Sequence, residues 1–225
     1  MQKMPSPLFS VNRYFPLYTD IRDQLCLVVG AGSVAERRVR GLREAGAQIR
    51  VVSPEALPLF EAWHAEGEIE LLLKPYSTQD LEGAFLVIAA TNRREVNAKV
   101  AEEAKARGIL VNITDNPEEG TFIVPSTVRR GALLLSVATG GNNPSLSMRL
   151  ASELEQRFSP QYGDFVELLG RMRVYIKERV PEAEQRAAHR RLLNAEAELC
   201  EVLEQGSPEE AYQRAIALLA LPAKG

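Results

Sequence analysis

The sequence predicts an α/β fold in which a doubly wound parallel sheet is followed by a small strand-built segment and an all-helical C-terminal region. Three observations lead to this prediction. Short apolar runs alternate with helix-forming stretches over roughly the first hundred residues, which is the pattern of βαβ units. After Pro117, two apolar runs follow each other without a long helix-forming stretch between them. From Ser145 onward, apolar residues recur at helical spacing.

The first predicted strand, Leu25–Val29, leads through a glycine turn into a helix-forming stretch at 34–45. Gly30, Gly32 and Ala35 fill the G-x-G-x-x-G/A pattern of a Rossmann-type dinucleotide site. Gly30 allows the tight turn, Gly32 leaves the backbone open to a pyrophosphate, and Ala35 lets the helix pack closely on the strand. Glycines at this spacing also occur in plain turns, but the strand before them and the helix after them favour dinucleotide binding.

The elements that follow alternate in the order that a parallel sheet requires. Residues 84–90 form the strongest predicted strand, because they are apolar on both faces, as a central parallel strand must be. The other predicted strands of this region are 48–53, 69–73 and 109–112, and the predicted helices are 57–66 and 92–107. Residues 1–12, with prolines at positions 5 and 7, are predicted to be a loose lead-in.

The pattern changes after Pro117. Residues 121–125 and 132–138 are predicted to be the strands of an antiparallel hairpin, because only a short stretch separates them. The apolar face of a later helix is predicted to consist of Phe165, Leu168, Leu169, Met172 and Ile176. We therefore expect a Rossmann domain at 1–117, a strand-built dimerisation segment at 118–145 and a helical domain at 146–225.

The composition limits the classes of function. A net charge of −3 and a pI near 5.6 argue against a general nucleic-acid binder, which would usually be basic. No stretch approaches the ~20 apolar residues of a membrane span and the start has no apolar signal region, so we expect no membrane partner and a cytoplasmic location. The two cysteines and two histidines do not stand at metal-ligand spacing, so no resident metal is expected, and Cys26 is expected to be a small core residue.

The end of the second predicted strand bears on the choice of cofactor. A dinucleotide site usually carries an acidic residue there to bind the ribose, but Ser53 stands at this position. Ser53 is a weaker ribose contact, Glu55 is a candidate substitute, and Arg50 taken alone would suggest NADP. Thr91 and Asn92 follow the central strand and would face the nicotinamide. Asn92 is also of a residue type that commonly caps a helix, here the next one. The predicted cofactor-binding residues are Gly30, Gly32, Ser33, Val34, Ala35, Ser53, Thr91 and Asn92.

Asp115 follows the last predicted strand of the sheet. Ligands of open α/β sheets bind beyond the carboxyl ends of the strands, and a carboxylate at that place can act as a general base. Aspartate before Asn-Pro is also an ordinary turn residue. On the residues alone, both interpretations of Asp115 stay open.

Six motifs succeed one another along the chain. They are YFPL at 14–17, VVGAGSVAER at 28–37, AATN at 89–92, VNITD at 111–115, FIVPS at 122–126 and TGGNNP at 139–144. In this order and spacing they resemble the siroheme synthase family, and more narrowly its precorrin-2 dehydrogenase/sirohydrochlorin ferrochelatase module. The methyltransferase domain fused to this module in some relatives has no counterpart in this sequence.

The resemblance implies a homodimer that uses NAD⁺ to oxidise precorrin-2 to sirohydrochlorin, and many such proteins also insert Fe²⁺ to give siroheme. It implies that Asp115 is the catalytic carboxylate, and it favours NAD over NADP. Thr139 stands where the family has a serine, a departure that keeps the hydroxyl. The alternative is a non-catalytic, NAD(H)-sensing Rossmann module, which would bind the cofactor tightly without turnover.

The substrate implied by the resemblance is a tetrapyrrole with many carboxylates. Arginine side chains pair well with carboxylates, although an Arg-Arg-Gly sequence at a hairpin tip is often only solvated surface. The predicted substrate-binding residues are Asn112, Arg129, Arg130, Thr139 and Arg149.

Overall fold

The computed structural model describes residues 14–220, which form two compact units that divide in sequence between Val124 and Pro125. The lead-in predicted for residues 1–12 lies outside the described residues. The division differs from the predicted boundaries near 117 and 145. Residues up to Val124 stay with the first unit, and the hairpin belongs to the same unit as the helices that follow it.

Within residues 14–124, the first unit contains five strands and three α-helices. The strands are β1 Leu25–Val29, β2 Gln48–Val52, β3 Glu70–Leu72, β4 Leu86–Ala89 and β5 Leu110–Ile113, and the helices are α1 Ser33–Glu44, α2 Pro58–Ala65 and α3 Arg94–Ala106. All strand pairs are parallel, in the order β3-β2-β1-β4-β5. The chain thus starts at the centre of the sheet and winds first to one edge and then to the other, which confirms the predicted doubly wound sheet.

Both faces of the sheet are buried under helices. Cys26 and Val28 of β1 pack on one side with α1 and α2, whereas Leu27 and Val29 pack on the other side with α3. Each of these four side chains is at most 2% exposed, as expected of a central parallel strand. Burial raises the pKa of the Cys26 thiol to about 11, so Cys26 is an unreactive core residue, as predicted.

The predicted strand at 121–125 is wrong. The segment is held to β5 by hydrogen bonds that do not form a strand ladder. The N–H of Thr121 donates to the carbonyl of Val111 at 2.7 Å, and Thr121 Oγ1 accepts the N–H of Val111 at 2.8 Å. The side chain of Asn112 donates to the carbonyl of Phe122 at 3.0 Å. Pro125 has no N–H to offer a ladder. The apolar residues of this segment are half-buried without forming a strand, and Phe122 packs against the core of the first unit.

The hairpin of the second unit pairs β6, Ser126–Arg130, with β7, Leu133–Val137, in antiparallel register. β6 is polar, and Val128 is its one buried residue, so hydropathy does not reveal this strand in the sequence. Gly131 forms the turn with a φ of 53°. The helix α4, Pro144–Arg157, packs against both strands of the hairpin.

The remaining helices of the second unit enclose a core of their own. They are α5 Tyr162–Arg179, α6 Glu182–Asn194, α7 Glu196–Glu204 and α8 Pro208–Ala220. The predicted apolar face of α5 is confirmed, since four of its five residues are buried and Leu169 packs at the edge of the same core. Of the helices that residues 14–220 form, none combines the length and the hydropathy of a membrane span.

Candidate active site

The carboxyl ends of β1, β2, β4 and β5 open into one cleft of the first unit, with a volume of about 1130 Å³. The cleft includes the point between β1 and β4 where the strand order reverses, the position at which open α/β sheets bind ligands. The structure brings together there every predicted cofactor-binding residue except Ala35, and Asp115 with them: Gly30, Gly32, Ser33, Val34, Ser53, Thr91, Asn92 and Asp115.

Gly30 holds the ends of three strands close together. Its φ of +106° is a conformation that other residues rarely adopt, and a Cβ atom there would lie 2.5 Å from the carbonyl oxygen of Ala90, at the end of β4. Its N–H donates to the carbonyl of Val52, at the end of β2, at 2.9 Å. Glycine is therefore required here by the close approach of the backbone.

Gly32 is needed for a different reason. A Cβ atom at this residue would meet no described heavy atom within 4 Å, so the space beside it is open to a ligand. The first bond of α1 runs from the N–H of Glu36 to the carbonyl of Gly32 at 2.9 Å, which leaves the N–H groups of Ser33 and Val34 without a helical acceptor. Ala35 is fully buried and lets α1 pack on the sheet. Open space beside unpaired N–H donors fits a pyrophosphate.

The end of β2 carries the groups that would meet the ribose. Ser53 is 8% exposed, and its Oγ donates to the carbonyl of Glu55 at 2.6 Å, so both residues belong to one tight turn at the cleft wall. Arg50 is held elsewhere, because its Nε pairs with Glu70 of the neighbouring strand at 2.6 Å. The Arg50 guanidinium, which would suggest NADP, is therefore held in an ion pair within the sheet.

Arg38 of α1 also lines the cleft, and no motif in the sequence indicates it. Its Nε is buried and has no hydrogen-bond partner among the residues that the structure describes. Burial, with a smaller contribution from the charge of Arg37, lowers the pKa of Arg38 below its usual value. A buried guanidinium nitrogen without an acceptor is unfavourable, and an anionic ligand in the cleft would supply one.

The variant Arg38→Met tests this role. It keeps an unbranched apolar stem and removes the guanidinium donors, so we expect NADH to bind roughly 10- to 100-fold more weakly, the range for a hydrogen bond to a charged group. Fluorescence titration with NADH measures the affinity. Arg40→Met is the matched control on the same helix, since Arg40 pairs with Glu36 and does not line the cleft. Equal affinities of the two variants would remove Arg38 from the cofactor site.

The helix cap considered for Asn92 is wrong. The first residue of α3 is Arg94 and its N-cap is Arg93, whose N–H donates to Thr91 Oγ1 at 3.1 Å. The side chain of Thr91 therefore closes the turn before the helix by accepting the N–H of the residue two positions later in the sequence. Asn92 lies one residue ahead of this N-cap, with an exposed side chain on the cleft wall.

Asp115 is exposed at the rim of the cleft, two residues after the end of β5. Its Oδ1 accepts a hydrogen bond from Nδ2 of Asn97 at 3.0 Å. Asn97 lies in α3 and is fully buried, and no motif in the sequence pointed to it. A carboxylate at the open end of a dinucleotide cleft can take a proton from a bound substrate.

Comparisons with known proteins agree with this geometry. Residues 17–126 match a family described as "Putative NAD(P)-binding". A siroheme synthase of Methylobacillus flagellatus is 43% identical over 171 residues, which are 76% of this chain and 37% of that protein. Siroheme synthase 3 of Aeromonas hydrophila subsp. hydrophila is 38% identical over 208 residues, 92% of this chain and 44% of that protein.

This chain belongs to the siroheme synthase family. It spans about two fifths of the length of these curated relatives. A solved structure described as SirC, precorrin-2 dehydrogenase, has a TM-score of 0.71 and 27% sequence identity, and the match covers 91% of this chain and all of that one. The predicted NAD cofactor is confirmed, since the residues that match the NAD(P)-binding family include all those that line the cleft.

Of the five residues expected to bind a tetrapyrrole, one lies in the first unit and four lie in the second. Asn112 lies inside β5, is 4% exposed and supports the carbonyl of Phe122. Arg130 donates from Nε to the carbonyl of Phe158 at 2.8 Å, so it supports the end of α4. Arg129 is exposed, and Arg149 pairs with Glu153 one turn along α4 at 3.5 Å.

Thr139 forms hydrogen bonds to the backbone within the second unit. Its Oγ1 donates to the carbonyl of Asn143 at 2.9 Å and accepts the N–H of the same residue at 3.1 Å. Asn143 in turn caps α4 by accepting the N–H of Leu146 at 2.9 Å. The hydroxyl of Thr139 therefore closes the loop before α4, a contact that a serine hydroxyl could also make.

Proposed function

We propose that this chain oxidises precorrin-2 to sirohydrochlorin with NAD⁺. The observation that carries the proposal is the carboxylate of Asp115 at the rim of the same cleft that holds the glycine turn. The likeness to a solved precorrin-2 dehydrogenase and to siroheme synthases supports the same substrate class. A cytoplasmic location, expected from the composition, is part of the proposal.

The residues divide the work of a dehydrogenation. One hydride and one proton must leave the tetrapyrrole, and NAD⁺ supplies the acceptor for the hydride. The N–H groups at the start of α1 and the guanidinium of Arg38 would hold the negative charge of the cofactor at one end of the cleft. Thr91 and Asn92, which line the cleft beyond the end of β4, would flank the nicotinamide. Asp115 takes the proton, so the reaction yields sirohydrochlorin, NADH and one proton.

A single assay tests this function. The protein is mixed with precorrin-2 and NAD⁺ without oxygen, so that oxygen cannot act as the oxidant, and the absorbances of NADH and sirohydrochlorin are followed together. We expect the two products to appear in equal amounts. Tight binding of NADH with no turnover of precorrin-2 would instead leave the protein as a non-catalytic NAD(H)-sensing module.

We also propose that Fe²⁺ is a second substrate, which the same chain inserts into sirohydrochlorin in exchange for two pyrrole protons. Within residues 14–220, no group of three or more histidine, cysteine, aspartate or glutamate side chains is arranged to hold a metal ion. Iron would then be handled in transit, with the exposed Asp115 as a proton acceptor. The experiment compares siroheme formation from sirohydrochlorin and Fe²⁺ with and without the protein, and equal rates would refute the proposal.

A homodimer is the third part of the proposal. An isolated two-stranded sheet is marginal in water, and Val128 is the one residue of β6 and β7 that is buried within this chain. We expect pairing of β6 and β7 with the same segment of a second chain to complete the sheet. Light scattering at micromolar concentration should give twice the mass of the 24.9 kDa chain, and a mass equal to one chain would contradict this expectation.

A further inference from the structure

Asn97 is a buried polar residue that takes no direct part in the proposed chemistry. It lies in the first turn of α3 and is 0% exposed. Burying an amide is unfavourable unless its donors and acceptor lone pairs are satisfied. The buried amide must therefore be explained by its contacts.

All four hydrogen-bonding positions of the Asn97 amide are used. Nδ2 donates to the carbonyl of Thr91 and to Oδ1 of Asp115, both at 3.0 Å. Oδ1 accepts the hydroxyl of Thr91 at 2.7 Å and the N–H of Thr91 at 3.3 Å. A flipped amide would turn its oxygen toward the carboxylate of Asp115, so the network allows one orientation only.

This network joins two strand ends that face the cleft. Thr91 follows β4 and Asp115 follows β5, and one amide from α3 contacts both. Asp115 itself is exposed, so the rigid, buried amide restricts a carboxylate that solvent alone would leave mobile. Displacing a catalytic group by about 1 Å can lower the reaction rate on the order of 100-fold, so the restriction of Asp115 should have a measurable effect on the rate.

We propose that Asn97 is a positioning residue that holds the Asp115 carboxylate in place for the reaction. The inference rests on the proposed function, because it assigns Asn97 a part in that same reaction. Asn97 touches neither cofactor nor substrate in this role. It acts through Asp115, and the Thr91 contacts fix the amide that does so.

A purely structural role for Asn97 predicts different behaviour. The same helix carries a second polar tie, in which Glu103 accepts the hydroxyl of Thr78 at 2.8 Å. This tie does not include Asp115, and Thr78 does not line the cleft. Thr78→Val therefore removes a comparable bond between α3 and its surroundings, and it is the matched control.

Two variants remove the donor to Asp115. Asn97→Leu replaces the amide by an apolar group, and Asn97→Asp keeps the shape and the acceptor toward Thr91 while it replaces the N–H donor by oxygen. For both we expect kcat to fall roughly 10- to 100-fold, because the carboxylate is misplaced. For Asn97→Asp, which keeps the acceptor toward Thr91, the KM values for precorrin-2 and NAD⁺ and the NADH affinity should stay at the wild-type level, as should all parameters of Thr78→Val.

The outcomes separate the inference from the function on which it rests. A folded Asn97→Asp with wild-type kcat, or an equal loss of kcat in Thr78→Val, overturns the positioning role while the proposed function stands. Unfolding of both Asn97 variants, seen by circular dichroism, also overturns it, because the residue would then serve the fold. A wild-type protein that binds NADH but never oxidises precorrin-2 overturns the proposed function and the inference together.

Discussion

Asp115→Asn should reduce the turnover of precorrin-2 by about 10²- to 10⁴-fold, the usual contribution of one general acid–base group. The variant is close to isosteric, and its amide oxygen can still accept the hydrogen bond from Nδ2 of Asn97 that Asp115 accepts now. The change therefore removes the base and keeps the local contacts. Rates are measured from the absorbance of sirohydrochlorin and NADH.

Two controls on the same sample show whether the loss is chemical. The NADH affinity should be unchanged, because Asp115 follows β5 whereas the pyrophosphate would meet the start of α1. The melting temperature should also stay close to the wild-type value. A variant that melts early, by an amount equivalent to about 1 kcal/mol, and turns over normally would show that Asp115 only forms the turn before Asn116-Pro117.

Substitutions at Gly30 and Gly32 should separate folding from cofactor binding. Gly30→Ala places a Cβ atom 2.5 Å from the carbonyl oxygen of Ala90 at a φ of +106°. We expect the free energy of unfolding to fall by roughly 2–5 kcal/mol, from backbone strain and overpacking together. Gly32→Asp meets open space, so it should fold normally and bind NADH at least about 100-fold more weakly, because its charge opposes the pyrophosphate.

Gly32→Ala is the control that distinguishes charge from bulk at this turn. It adds a methyl group where no described heavy atom lies within 4 Å, so its stability should equal that of the wild-type protein. A moderate loss of NADH affinity would then report the bulk alone. Calorimetric titration and thermal unfolding measure the two quantities. Wild-type NADH affinity in Gly32→Asp would contradict the assignment of the cofactor to this turn.

Local patterns in the sequence were enough for much of the first unit. β1 begins and ends at the predicted residues, and the glycine turn lies at the predicted place in the cleft. The rule that ligands bind beyond the carboxyl ends of parallel strands makes Asp115 a candidate, but the residues alone leave a turn equally open, and the catalytic role is a prediction from the family resemblance. Alternating and continuous apolar runs are likewise local, so the doubly wound sheet could be predicted.

The tertiary structure alone decided the contacts that cross from one element to another. The amide of Asn97 meets Asp115 across 18 positions of sequence, and Arg50 is engaged by Glu70 of the adjacent strand. The polar strand β6 is a strand because of the partner it pairs with and not because of its composition. These features depend on which groups the fold brings within hydrogen-bonding distance. The residue types predicted a dinucleotide site with a carboxylate beside it. Only the packing of α3 brings the Asn97 amide within hydrogen-bonding distance of that carboxylate.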